Sequence, residues 1–76
     1  PVLGLARGDD QIKISARSSP EYAEREGVDI GEILHEVSNE LGGSGGGHNV
    51  AAAARIPLER KDEFLKKVNR MVKEAL

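Results

Sequence analysis

The sequence predicts an α+β fold: a small mixed β-sheet of about three strands with two main helices packed on one face. The predicted order is β-β-(short α)-α-β-α. Three observations predict it. Residues 11–17, QIKISAR, alternate apolar and polar side chains, the period of a half-buried strand. Residues 28–42 carry an apolar stripe at helical spacing between two capping signals. Residues 59–76 carry a second such stripe.

The elements follow in chain order. Val2 to Ala6 is short and apolar enough for a strand, and RGDD at 7–10 reads as a turn with Gly8 free to take a positive φ. In the next strand Ile12, Ile14 and Ala16 share one face, while Lys13, Ser15 and Arg17 share the other. The two segments make a hairpin. Ser19 suits a cap and Pro20 a first helical position, so a short acidic helix should run to about Gly27.

The next helix has the fullest set of signals. Asp29 is a good N-cap, Glu32 completes a capping-box-like pair, and Val28 is placed to pack on Ile33 as a hydrophobic staple. Ile30, Ile33, Leu34, Val37 and Leu41 form the apolar stripe. Gly42 sits where a left-handed C-terminal cap belongs. VAAAARIP, residues 50–57, is too short for a stable helix and reads as a buried strand that ends before Pro57. In the last helix Phe64, Leu65, Val68, Met71, Val72, Ala75 and Leu76 make the buried side. Glu59, Asp62 and Glu63 crowd its start and Lys73 sits near its end, as the helix dipole favours.

A chain of 76 residues is one small domain with a thin core. It opens at Pro1 and reads as structure from Val2, so the expectation is a piece of something longer. Without cysteine it has no disulfide and no thiolate metal site, which fits a cytoplasmic setting. No apolar run approaches the roughly 20 residues that cross a bilayer, and no membrane partner is expected.

The net charge of −2 hides a split. Residues 1–17 have three basic and two acidic groups, residues 18–54 one and seven, and residues 55–76 seven and four. This is no uniformly basic nucleic-acid binder. A polyanion would have to be met at a local site.

The candidate site is GGSGGGHN, residues 42–49. As a flexible connector it would be oddly placed, because it joins elements of one small core rather than two domains. It nearly fits a Walker phosphate loop, but His48 and Asn49 stand where Lys and Ser or Thr are required, and the loop leaves a helix instead of a strand. The physics survives the failed motif. Consecutive glycines let backbone N–H groups converge on an anion with no Cβ in the way. His48 adds a donor or a partial positive charge, and Asn49 an amide. The alternative for His48 is a loop histidine bonded to a carbonyl. Arg17, at the end of a strand's polar face, can grip a phosphate bidentately or pair with a nearby glutamate.

GGGHNVAAAARIP, residues 45–57, resembles the signature of the DHH-associated substrate-binding domain. That is the C-terminal domain of DHH-family phosphoesterases such as RecJ-like nucleases. Gly45, Gly46, Gly47, His48, Ala51 and Ala52 match the pattern, and Ala53 stands where the family usually has glycine. KISARSS, residues 13–19, resembles the family's strand that ends in Arg-Ser before a helix. Archaeal RecJ-like proteins are the relatives expected to be nearest.

The resemblance implies a division of labour. An upstream DHH domain of the same chain would hold manganese (or magnesium) ions that activate water against a phosphodiester. The domain at hand would close over single-stranded DNA or RNA, or a short oligonucleotide. Carried over by residue, the implied contacts are Arg17, Ser18, Gly45, Gly46, Gly47 and His48. No nucleophile–base pair and no converging set of metal ligands is evident in these residues, so catalysis is not expected of them alone. Two other readings stay open. One is an RNA-binding appendage like the C-terminal domain of alanyl-tRNA synthetases. The other is a protein-interaction or dimerisation domain.

Overall fold

The computed structural model describes residues 2–75, except the side chain of Tyr22. Strands β1 (Val2–Arg7) and β2 (Gln11–Arg17) form the hairpin, followed by helices α1 (Pro20–Glu26) and α2 (Ile30–Glu40). Strands β3 (Ser44–Gly47) and β4 (Ala51–Pro57) come next. A single 3₁₀ turn (Leu58–Arg60) leads into α3 (Lys61–Ala75). The α+β class is as predicted. The sheet, however, has four strands in the order β1-β2-β4-β3, and every pairing is antiparallel instead of mixed. The additional strand is the glycine run, which carries no alternation to announce it.

The alternation in β2 sets the layers. Ile12, Ile14 and Ala16 are buried with Ala54 and Ile56 of β4, while Lys13, Ser15, Arg17, Ala53 and Arg55 are exposed on the opposite face. Helices therefore cover one face of the sheet and leave the other open. On the covered side Ile30, Ile33, Leu34 and Val37 of α2, with Val28 and Leu41, join Phe64 and Val68 of α3 in one core.

The ends of α2 form as their residues require. Asp29 accepts a hydrogen bond from the Glu32 amide at 3.1 Å. At the other end Gly43 N–H donates to Ser38 O at 2.8 Å and Gly42 N–H to Asn39 O at 3.4 Å, the double bond of a Schellman cap. Gly42 is left-handed there, with φ +81°.

Several details differ from expectation. Gly8 has no positive φ, because the turn closes instead through Gly8 N–H donating to Gln11 O. β4 includes Pro57 as its last residue, where no further ladder donor is needed. In α3 only Phe64 and Val68 are buried; Leu65, Met71 and Val72 pack half-buried against the edge of the core, and Ala75 is exposed. Leu76 lies outside the described residues.

Candidate functional site

The glycine run is an edge strand, not a loop. Ser44 to Gly47 pair with Arg55 to Ala52 of β4, and His48 N–H continues the ladder to Ala51 O at 2.7 Å. In an antiparallel ladder, bonded pairs alternate. The amides of Gly46 and His48 therefore face β4, and those of Gly45 and Gly47 face the free edge. The three consecutive amides do not converge as a cup. Gly45 O agrees with this alternation, since it accepts from His35 Nδ1–H at 2.9 Å instead of from β4.

Packing explains why glycine is required here. Helix α2 lies directly on β3. A Cβ on Gly45 would meet the Cβ of Ala54 at 2.7 Å and Ser38 Oγ at 2.8 Å. Gly47 combines a φ of +147°, which side chains disfavour, with β4 backbone 2.6 Å from where a Cβ would lie. His35 and Gly31 are the contributors that sequence reasoning did not find. In the sequence His35 is only a histidine between Glu32 and Glu36 on an acidic helix, with no spacing that ties it to the glycine run. The available signal for Gly31 was a glycine in a first helical turn that no cap required.

Register brings one end of the sheet together. Arg17 is opposite Ala51, and Ala51 is bonded to His48, so Arg17 and His48 lie two strand spacings apart, roughly 10 Å. Arg17 is exposed and makes no salt bridge among the described residues, so the glutamate pairing is not formed. His48 and Asn49 are exposed at the same end. Ser18 is placed differently. Its amide donates to Val50 O at 2.9 Å, while its Oγ is enclosed and has no hydrogen-bond partner. Ala53 is on the open face between Ser15 and Gly46, so its methyl group stands where a glycine would leave bare backbone.

Among the described residues no three His, Asp or Glu side chains are grouped to hold a metal, so no step through a metal ion is assigned to them. No described helix is long and apolar enough to cross a membrane.

Comparison with known proteins gives this arrangement a family. The DHHA1 domain matches residues 1–74. An uncharacterised protein of Methanocaldococcus jannaschii is 37% identical over 76 residues, which is 100% of this chain and 17% of that protein. The alanine–tRNA ligase of Korarchaeum cryptofilum is 36% identical over 64 residues, 84% of this chain and 7% of the ligase. The chain thus spans less than a fifth of either relative. In three dimensions it is similar to the C-Ala domain of Aquifex aeolicus alanyl-tRNA synthetase, with a TM-score of 0.68 and 25% identity, over 93% of this chain and 60% of that one. Fold and sequence match agree: the chain belongs to the DHHA1 domain family.

Proposed function

We propose that this domain binds nucleic acid for a larger protein, holding the sugar–phosphate chain of a single strand at the sheet end that carries Arg17, Gly46, Gly47 and His48. The observation that carries the reading is the unpaired Arg17 guanidinium in the same sheet row as His48. A guanidinium free of carboxylates is available for a bidentate phosphate contact. Aromatic side chains are scarce, so the backbone of the strand is a better handle than stacked bases.

The parent on this reading is a metal-dependent DHH-family phosphoesterase, a RecJ-like exonuclease or oligonucleotide phosphodiesterase. Its manganese or magnesium would be held outside residues 1–76. Support comes from Gly45 to His48 with Ala51 and Ala52, the residues of the family resemblance. A second reading, an RNA-binding appendage, is favoured by the similarity to the ligase and to the C-Ala domain.

Amide NMR titration tests the proposal. A mononucleotide should shift Gly46 to Asn49 and Arg17, and Arg17→Ala with His48→Ala should abolish those shifts. Shifts confined to α3 would overturn the reading in favour of a protein-docking domain. Tighter binding of folded tRNA than of unstructured oligonucleotides would favour the appendage.

A further inference from the structure

The open face of the sheet carries a second cationic row. Lys13 of β2 is in register with Arg55 of β4, which is in register with Ser44 of β3. Lys13 and Arg55 are exposed, and neither makes a salt bridge among the described residues. Like charges directly opposite on neighbouring strands are destabilising. This pair therefore costs the fold something, and a bound anion would relieve the repulsion.

Between this row and the Arg17 row lies a floor of small residues. Gly4, Ser15, Ala53 and Gly46 are in register across all four strands. Nothing on that floor is larger than a hydroxymethyl group. Lys13 and Arg17 are four residues apart on one strand, roughly 13 Å at about 3.3 Å per residue. The other residues whose register puts them on this face are Val2, Ala6, Gln11, Ala51 and Pro57, none of them acidic. Asp9 and Asp10 of the hairpin turn line a depression together with Lys13 and Arg55, and neither cation forms a salt bridge with them among the described residues. A depression of about 170 Å³ lies beside Lys13 and Arg55, with Ser44, Gly45, Ala53 and Ala54 completing its wall.

We infer that the open face is a track for one strand of nucleic acid that bridges both rows, with one phosphate at Arg17 and another at Lys13 and Arg55. This rests on the reading that the Arg17 end takes a phosphate, and it extends that site from one nucleotide to several. A chain of regularly spaced anions fits two cationic rows across a bare floor. A protein partner fits poorly, since protein interfaces are anchored by aromatic and other large side chains, and the floor offers no such anchor.

The test compares oligonucleotides of increasing length on the 76-residue chain, followed by fluorescence anisotropy and amide shifts. Affinity should rise once the strand reaches both rows and then level off. The double variant Lys13→Ala with Arg55→Ala should lose that gain yet keep the mononucleotide shifts at Gly46 to Asn49. One phosphate contact accounts for roughly a 2.6-fold loss of affinity between about 50 and about 200 mM salt, at about 0.7 counterions, and the variant should lack that share. An unchanged length dependence and salt slope would overturn the track and leave the proposed function standing. If the intact chain shows no nucleotide shifts at all, the proposed function falls, and the track with it. Binding of polyglutamate as tight as that of an oligonucleotide of equal charge would overturn the track in favour of an acidic protein. An amide spectrum of native dispersion confirms that the variant is folded.

Discussion

Gly31 and Gly47 touch backbone to backbone. A methyl group placed on Gly31 would lie 2.7 Å from both the carbonyl carbon and the carbonyl oxygen of Gly47. The first turn of α2 is thereby set against the end of the glycine strand. Glycine to alanine inside a helix ordinarily stabilises by about 0.5–1 kcal/mol. Here the sign should reverse. Gly31→Ala should cost about 1–3 kcal/mol as an overpacked contact, read by urea unfolding. Its amide shifts should centre on Gly47 and His48. A gain in stability would show that the contact yields freely.

His35 closes the outer side of the same strand. Its ring donates to Gly45 O, and the Asn39 amide lies 3.3 Å from its other nitrogen, Nε2. His35→Ala should remove about 0.5–1.5 kcal/mol, the usual net value of one hydrogen bond. Hydrogen exchange at Gly46 and His48 should accelerate more than exchange in β2. Equal acceleration everywhere would mean that His35 acts on global stability alone.

Phe64 is fully buried and sits in the middle of the core. Phe64→Ala should cost about 3–5 kcal/mol, a large part of what so small a domain has. Circular dichroism should show loss of the cooperative thermal transition. Met71→Ala, at a half-buried site, should keep that transition at a lower midpoint.

Glu63 and Arg60 form a two-bond pair at 2.9 and 3.0 Å. The Arg60 hydrogen bonds hold the Glu63 carboxyl below its ordinary 4.5, and the adjacent Arg60 charge acts in the same direction. A depressed carboxyl stabilises the fold above its unfolded pKa, and that contribution is lost as pH falls through the folded value. The pair lies at the surface, with Arg60 half-buried and Glu63 exposed, so the effect on stability should be slight. Side-chain NMR should show Glu63 titrating below 4.5, and Arg60→Ala should return it to the ordinary range.

Local chemistry made much of the fold legible. Asp29 and Gly42 bound α2 because a cap needs only its own neighbours. The alternation of β2 gave both faces of the sheet, and Lys13 stood on the exposed face with Arg17 in the sequence itself. Arg55 carried the same signal, lying between Ala54 and Ile56, but a run of four alanines obscured the period. The strand at Ser44 to Gly47 was not legible. Glycine has no side chain to alternate, and the strand exists because α2 presses it onto β4. The expected cup of amides failed for that reason, whereas the shared end of Arg17 and His48 follows from register, which only the folded sheet supplies.

The order β1-β2-β4-β3 also bears on how fast the domain forms. The β1–β2 hairpin closes over a few residues and can form early. The central β2–β4 pairing must wait until residues 18–50 have looped back, because Arg17 meets Ala51 across that whole segment. The β3–β4 hairpin also closes over a few residues, since Gly47 meets Ala52, and α2 lies against β3. Protection at the β2–β4 seam should therefore come last in a pulse-labelled refolding experiment, so two separately formed hairpins are joined into one sheet only at the end.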